Sequence, residues 1–221
     1  MSNSTTFRVK RNTPPRTFQR HAYRDAWPFL MADFQKRCAY SMQHISRASG
    51  PRNMQVDHFN PNLKQEYFQE YSNLFLSTSH CNGSKSDRWP TNKERDNGSR
   101  FLDCTKEIDY GVHIFEDPDT HELVGVTPPG RYHVLNCDLN APQFIDERTK
   151  RARYWEVLGG TPITSLKSFS LPPGLSELLQ VVEEMIPPIP YLSGEALERR
   201  RAKRREREAL SVQSNSPTGL R

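Results

Sequence analysis

Apolar positions along this chain change period several times, and each change marks an element. From Ala26 to Arg37, Trp27, Leu30, Met31 and Phe34 fall on one face at helical spacing, and Pro28 is tolerated in a first turn, so a helix is predicted there. Asn53 to Phe59 then alternates, with Met54 and Val56 on one face, and Leu74-Phe75-Leu76 follows a polar loop; both read as strands. Asn82 to about Trp89 predicts a short helix that stops ahead of Pro90, because the residue before proline resists the helical region. The resulting order is strand, loop, strand, helix.

Downstream, Val112-His113-Ile114-Phe115 and Leu123-Val124-Gly125-Val126 flank Asp117-Pro118-Asp119-Thr120, the pattern of a hairpin with a proline turn. Pro142 to Val157 predicts a helix carrying Arg148, Lys150, Arg151 and Arg153, broken by Gly159-Gly160-Thr161-Pro162. After Pro172-Pro173 an amphipathic helix is predicted from about Leu175 to Met185, and Ile186-Pro187-Pro188-Ile189-Pro190 reads as an extended linker. Glu195 to Leu210 alternates arginine runs with glutamates and has almost no apolar face, so it is expected as a solvated or partner-bound helix, followed by a disordered tail from Ser211 to Arg221. The fold class expected is α+β.

Charge sharpens the picture. The 221 residues carry a formal charge of +5, which favours a polyanionic partner. Residues 1–37 hold Arg8, Lys10, Arg11, Arg16, Arg20, Arg24, Lys36 and Arg37 against Asp25 and Asp33, a basic arm suited to backbone phosphates, with Arg8, Lys10 and Arg11 as candidate contacts. Cys38, Cys81, Cys104 and Cys137 form no disulfide-rich pattern, the start of the chain has no apolar signal segment, and no apolar run reaches membrane-spanning length. A cytoplasmic protein with no membrane partner is expected.

The chemistry concentrates in Val56-Asp57-His58-Phe59, Tyr71-Ser72-Asn73-Leu74 and Cys81-Asn82-Gly83-Ser84-Lys85. Hydrolysing a phosphodiester needs a water nucleophile, a base near neutral pH and a cation for the charge on the phosphate and departing oxygen. His58 suits the base, since imidazole titrates closest to neutrality. Asp57 and Asn82 offer the hard oxygens that Mg²⁺ or Mn²⁺ prefers. Asn73 is a candidate partner to fix the His58 tautomer, and Lys85 a candidate phosphate contact. Strict alternation sends Asp57 and His58 to opposite faces, so a bend near Pro61 is expected to reunite them.

These motifs resemble those of HNH nucleases, which implies a ββα-metal finger. Asn82-x-x-Lys85-Ser86-Asp87-x-x-Pro90-Thr91, preceded by Asp57-His58-Phe59-Asn60-Pro61, is similar to the HNH domain of RNA-guided CRISPR nucleases; position by position, that implies Asp57 and Asn82 as metal ligands and His58 as base. A wider set, with Cys38-Ala39-Tyr40 after a basic start and Leu139-Asn140-Ala141-Pro142 ahead of Glu147-Arg148, resembles the small stand-alone HNH nucleases of bacterial anti-phage systems of the Septu and retron type, over roughly residues 7–155. That resemblance implies DNA as substrate and a companion ATPase. Many relatives hold a structural Zn²⁺ on two Cys-x-x-Cys knuckles. Here the knuckles are Cys38-Ala39-Tyr40-Ser41 and Thr78-Ser79-His80-Cys81, each short of one sulfur, so Cys38 and Cys81 are expected as a degenerate zinc site without metal; the spacing does not favour His44 or His80 as replacements.

The expected organisation is a basic arm over 1–25, an HNH nuclease domain over 26–158, a linker and amphipathic helix over 159–194, and a charged helix with tail over 195–221. The expected activity is metal-dependent endonucleolytic cleavage of DNA. Competing expectations are a catalytically silent nucleic-acid-binding or assembly subunit, and an RNA-cleaving nuclease of the same chemistry.

Overall fold

The computed structural model describes residues 9–14, 16–157 and 173–214. Its secondary structure is mixed, with three two-stranded antiparallel sheets among short helices. β1 (Thr17–Gln19) pairs with β3 (Phe68–Glu70), β2 (Met54–His58) with β4 (Leu74–Thr78), and β5 (Ile114–Glu116) with β6 (Leu123–Gly125). The β2–β4 ladder sets Val56 opposite Leu76, Asp57 opposite Phe75 and His58 opposite Leu74. β4 is buried along its whole length, as its unbroken apolar start anticipates.

Seven α-helices are seen among the described residues. α1 (Trp27–Asp33) is shorter than its apolar stripe suggests, because Gln35 and Lys36 adopt left-handed φ values of 51° and 59° and turn the chain back. Leu30 and Phe34 are nevertheless fully buried. α2 (Ser79–Lys85) starts and ends earlier than predicted. Thr78 caps it by accepting a bond from Cys81 N, and Ser86, at φ 49°, reverses the chain before Trp89 is reached. α3 (Asn92–Asp96) opens on a capping box between Thr91 and Glu94. α4 (Pro128–Asn136) packs on β6, where Gly125 and Gly130 allow the two backbones to approach so closely that a Cβ on Gly125 would lie 2.2 Å from Arg131 N.

α5 (Pro142–Val157) spans the predicted range, yet two of its arginines are core residues. Arg148 donates to the carbonyls of His121 and Leu139 and to Asn140 Oδ1, and burial brings its pKa down to about 10. Arg151 pairs with buried Glu116 and donates to Pro187 O at 2.8 Å. α6 (Pro173–Glu184) leads into Ile186–Pro190, which is a packed strap and not a free linker. Ile186 and Ile189 are buried, Ile186 N donates to Glu147 Oε1, and Glu116 N donates to Pro190 O.

α7 (Gly194–Ser214) finds its partner within the chain. Arg200 reaches Asp117, Arg201 and Arg204 grip Asp119, and Arg200 also meets Glu122, so the acidic hairpin turn neutralises this face of the helix. The breaker at 159–162 and the end of the proposed tail lie outside the described residues.

Asp109 is a buried carboxyl with no partner for Oδ2, although Oδ1 accepts from Tyr110 N. Burial pushes its pKa up to about 7. An unfolded aspartate titrates near 4, so between roughly pH 4 and 7 the unfolded chain releases a proton that the folded chain keeps, and stability falls as pH rises. Asp109→Asn is therefore expected to raise stability by about 2 kcal/mol at pH 8 and to change little at pH 4, as read by denaturant melts at both values.

Candidate active site

β2, β4 and α2 form a strand–strand–helix unit, and α2 lies across one face of β2. Two contacts three residues apart on the helix fix its placement: Asn82 Nδ2 donates to Gln55 Oε1 at 2.6 Å, and Lys85 Nζ lies 3.0 Å from Asp57 Oδ2. The alternation of β2 then decides what shares a side. Asp57 meets α2, whereas His58 meets the ring of Tyr23, with centroids 5.0 Å apart. The turn at Pro61–Leu63 comes too late to bring them together, because the ladder stays regular through His58 and continues with Phe59 N donating to Asn73 O.

Asp57 is buried and its carboxylate is fully engaged. Lys85 contacts both oxygens, and the Tyr40 hydroxyl donates to Oδ2. Lys85 also donates to His58 O at 2.9 Å, and its ammonium lies 5.6 Å from the Phe101 ring centre. The lysine is completely enclosed, neither on a solvated helix face nor beside any path for a phosphate. Burial raises the Asp57 pKa, against the opposing pull of Lys85.

Asn73 does not reach the His58 ring. Its side chain exchanges bonds with the backbone of Asn60, accepting at 2.8 Å and donating at 3.0 Å, so it braces the turn that follows His58. The ring itself is half-buried, and Nε2 is sealed from solvent with no well-aligned partner. Burial, then the charge of Lys64, lowers its pKa, and the neighbouring Gln69 side chain opposes them. His58 is thus held as neutral imidazole at neutral pH, the form able to accept a proton.

A divalent cation does not fit the arrangement. Asp57 already balances one buried cation, Asn82 is turned to Gln55, and no cluster of three His, Cys, Asp or Glu side chains suited to a metal occurs among the described residues.

The knuckle residues do converge. Cys38 and Cys81 are fully buried, Tyr40 N and Ser41 N point at Cys38 Sγ from 3.4 and 3.5 Å, and Thr78 Oγ1 lies 3.7 Å from the same sulfur. Burial would raise the Cys38 thiol, but hydrogen bonds from Cys81, Ser41 and Thr78 outweigh it and bring its pKa well below the ordinary value, while burial and Cys38 itself push Cys81 up. His80 and His44 are occupied elsewhere, with Asp138 and Ser46. Four side chains around one point, two of them sulfur, make a direct test possible. Ser41→Cys with Thr78→Cys should convert a chain without four thiolates into one that retains one zinc through gel filtration, read by elemental analysis.

The basic arm is docked where it is described. Val9 is buried and its N–H donates to Cys104 O. Arg11 lies over the rings of Tyr71 and Phe75 and donates to the carbonyls of Tyr71 and Leu74, so its charge is spent inside. Lys10 is exposed, and Arg8 falls outside the described residues.

Sequence reading missed the surface next to His58. A cleft of about 570 Å³ is lined by Tyr23, Arg24, Trp27, Arg52 and Asn82 with the start of β2. Its signal is the interleaving of basic and aromatic residues in Arg20-His21-Ala22-Tyr23-Arg24-Asp25-Ala26-Trp27. The chain matches no protein-family model, no curated protein and no solved structure. No helix among the described residues is long and apolar enough to cross a membrane.

Proposed function

We propose that the chain hydrolyses phosphodiester bonds in nucleic acid, with the β2–β4–α2 unit as an HNH-type finger and His58 as general base. The observation that carries this reading is His58 itself: a half-buried ring whose pKa burial lowers, at the end of a strand whose partner strand runs straight into a helix. In this reading the His58 ring turns out from Tyr23 to take the proton of a water, the water oxygen attacks phosphorus, the bond to the departing sugar oxygen breaks, and that oxygen takes a proton from solvent as it leaves. Asn73 keeps the backbone beyond His58 in place, and Asn82 faces the adjoining cleft. DNA as the substrate, and service as an anti-phage effector beside a companion ATPase, extend the proposal on the resemblance alone.

A second reading is favoured by one observation. Asp57 is sealed by Lys85 and Tyr40, which suits a finger that binds nucleic acid without cutting it. One assay separates the two. Purified chain is incubated with plasmid, single-stranded DNA and RNA, each with Mg²⁺, Mn²⁺ or a chelator. Cleavage of any substrate supports the hydrolase; retention of nucleic acid on a filter with no cleavage under any condition selects the silent binder. Loss of cleavage on chelation would mean that Asp57 exchanges Lys85 for a cation.

A further inference from the structure

We infer that the cleft between the Arg20–Trp27 segment and β2 is a seat for unpaired nucleic acid, with bases lying on Tyr23 and Trp27 and phosphates meeting Arg24 and Arg52. The inference names the substrate class of the site proposed above and rests on that reading.

The cleft has the chemistry for it. Its volume of about 570 Å³ lies within the range of roughly 300–1,000 Å³ common to small-molecule sites. Arg24 and Arg52 are exposed, and no acidic side chain lines the cleft, so its charge is left for a partner. This sets them apart from Arg11, Arg148, Arg151, Arg200, Arg201 and Arg204, each already committed to carbonyls or carboxylates.

Tyr23 and Trp27 are partly exposed aromatic walls on the same short segment, and the Arg24 guanidinium lies 5.9 Å from the Tyr23 ring centre. Aromatic faces beside arginines suit single strands, because every base offers a π-face for stacking and only an unpaired base can leave its own stack to use it. A duplex keeps its bases stacked inside and offers this cleft phosphates alone. The register is also right: Tyr23, which walls the cleft, is the residue packed on the His58 ring, and Val56 lines the floor two positions before His58. The seat thus adjoins the proposed base through the Tyr23 ring.

The test measures binding apart from chemistry. Labelled oligonucleotides of one sequence, as single-stranded DNA, single-stranded RNA and duplex DNA, are titrated with the full chain in chelator, and anisotropy is followed at several salt concentrations. The expected result is binding of at least one single strand about tenfold tighter than the duplex. Arg24→Gln with Arg52→Gln should weaken that binding about tenfold and reduce the salt slope by roughly 1.4, at about 0.7 per phosphate contact in a single strand. Tyr23→Leu should weaken it about fivefold or more with the salt slope unchanged. Thermal melts check that each variant is folded, and the arginine pair, being exposed, serves if the tyrosine variant is not.

Equal or tighter binding of duplex, or an arginine double variant with unchanged affinity and slope, would overturn the inference. Wild-type binding with no cleavage in the earlier assay overturns the hydrolase and leaves this seat standing, whereas cleavage with binding indifferent to Arg24 and Arg52 removes the seat alone.

Discussion

His58→Ala should lower phosphodiester cleavage by about 10²–10⁴-fold, the usual contribution of a positioned base, while single-strand binding in chelator changes little. The substitution removes a half-buried ring that touches Tyr23 and forms none of the ladder bonds, which belong to the backbone. A His58→Asn variant keeps a polar side chain there but has no titrating nitrogen, and the same loss is expected. The pH profile adds an independent readout. Burial lowers the His58 pKa, so the proton-accepting form persists below the ordinary imidazole value; the rate should be level near pH 7 and fall only once the pH drops below that ordinary value. A single-turnover rate within threefold of wild type in either variant would remove His58 from the mechanism.

The local parts of this fold were legible because local signals govern them. Alternation around Val56, the apolar run at Leu74-Phe75-Leu76, the hairpin around Asp117-Pro118 and the helix from Pro142 all follow from spacing and turn chemistry, and each is present. The boundaries that moved did so for reasons a spacing rule does not hold. Gln35, Lys36 and Ser86 take left-handed backbone angles that their side chains do not advertise.

Cations were the larger misreading. Charge counting sends every lysine and arginine to the surface, yet Lys85, Arg148 and Arg151 are buried and Arg11 is half-buried, held by groups far away in sequence. Arg11 finds carbonyls at Tyr71 and Leu74, and Lys85 finds a carboxylate at Asp57. No window of neighbouring residues contains that information. The same holds for Ile186–Pro190, whose prolines suggest a spacer but whose isoleucines are core.

The candidate site shows the consequence most sharply. Its residue types were recognisable, and His58, Asn73 and Asn82 do gather around one strand–strand–helix unit. What the sequence did not reveal is that no bend reunites Asp57 with His58, and that Asp57 is balanced by Lys85. Nor did it separate arginines with a carboxylate waiting elsewhere from Arg24 and Arg52, which have none among the described residues.

Lys85→Met tests the buried balance directly and is expected to destabilise the chain by about 3–5 kcal/mol, the cost of leaving one partner of an enclosed ion pair uncompensated. Asp57 would keep only the Tyr40 hydroxyl, and His58 O would lose the bond it now accepts from the lysine. Asp57→Asn should also cost several kcal/mol, since the ammonium would lose its carboxylate. The double variant should be milder than the sum of the two, because the second substitution removes the charge that the first one strands. Urea melts of the four proteins give the coupling. A Lys85→Met chain within about 0.5 kcal/mol of wild type would show that the ammonium is hydrated in solution. Asp57 would then stand open to a cation, and the metal-dependent form of the nuclease reading would gain the ligand that the folded arrangement now withholds.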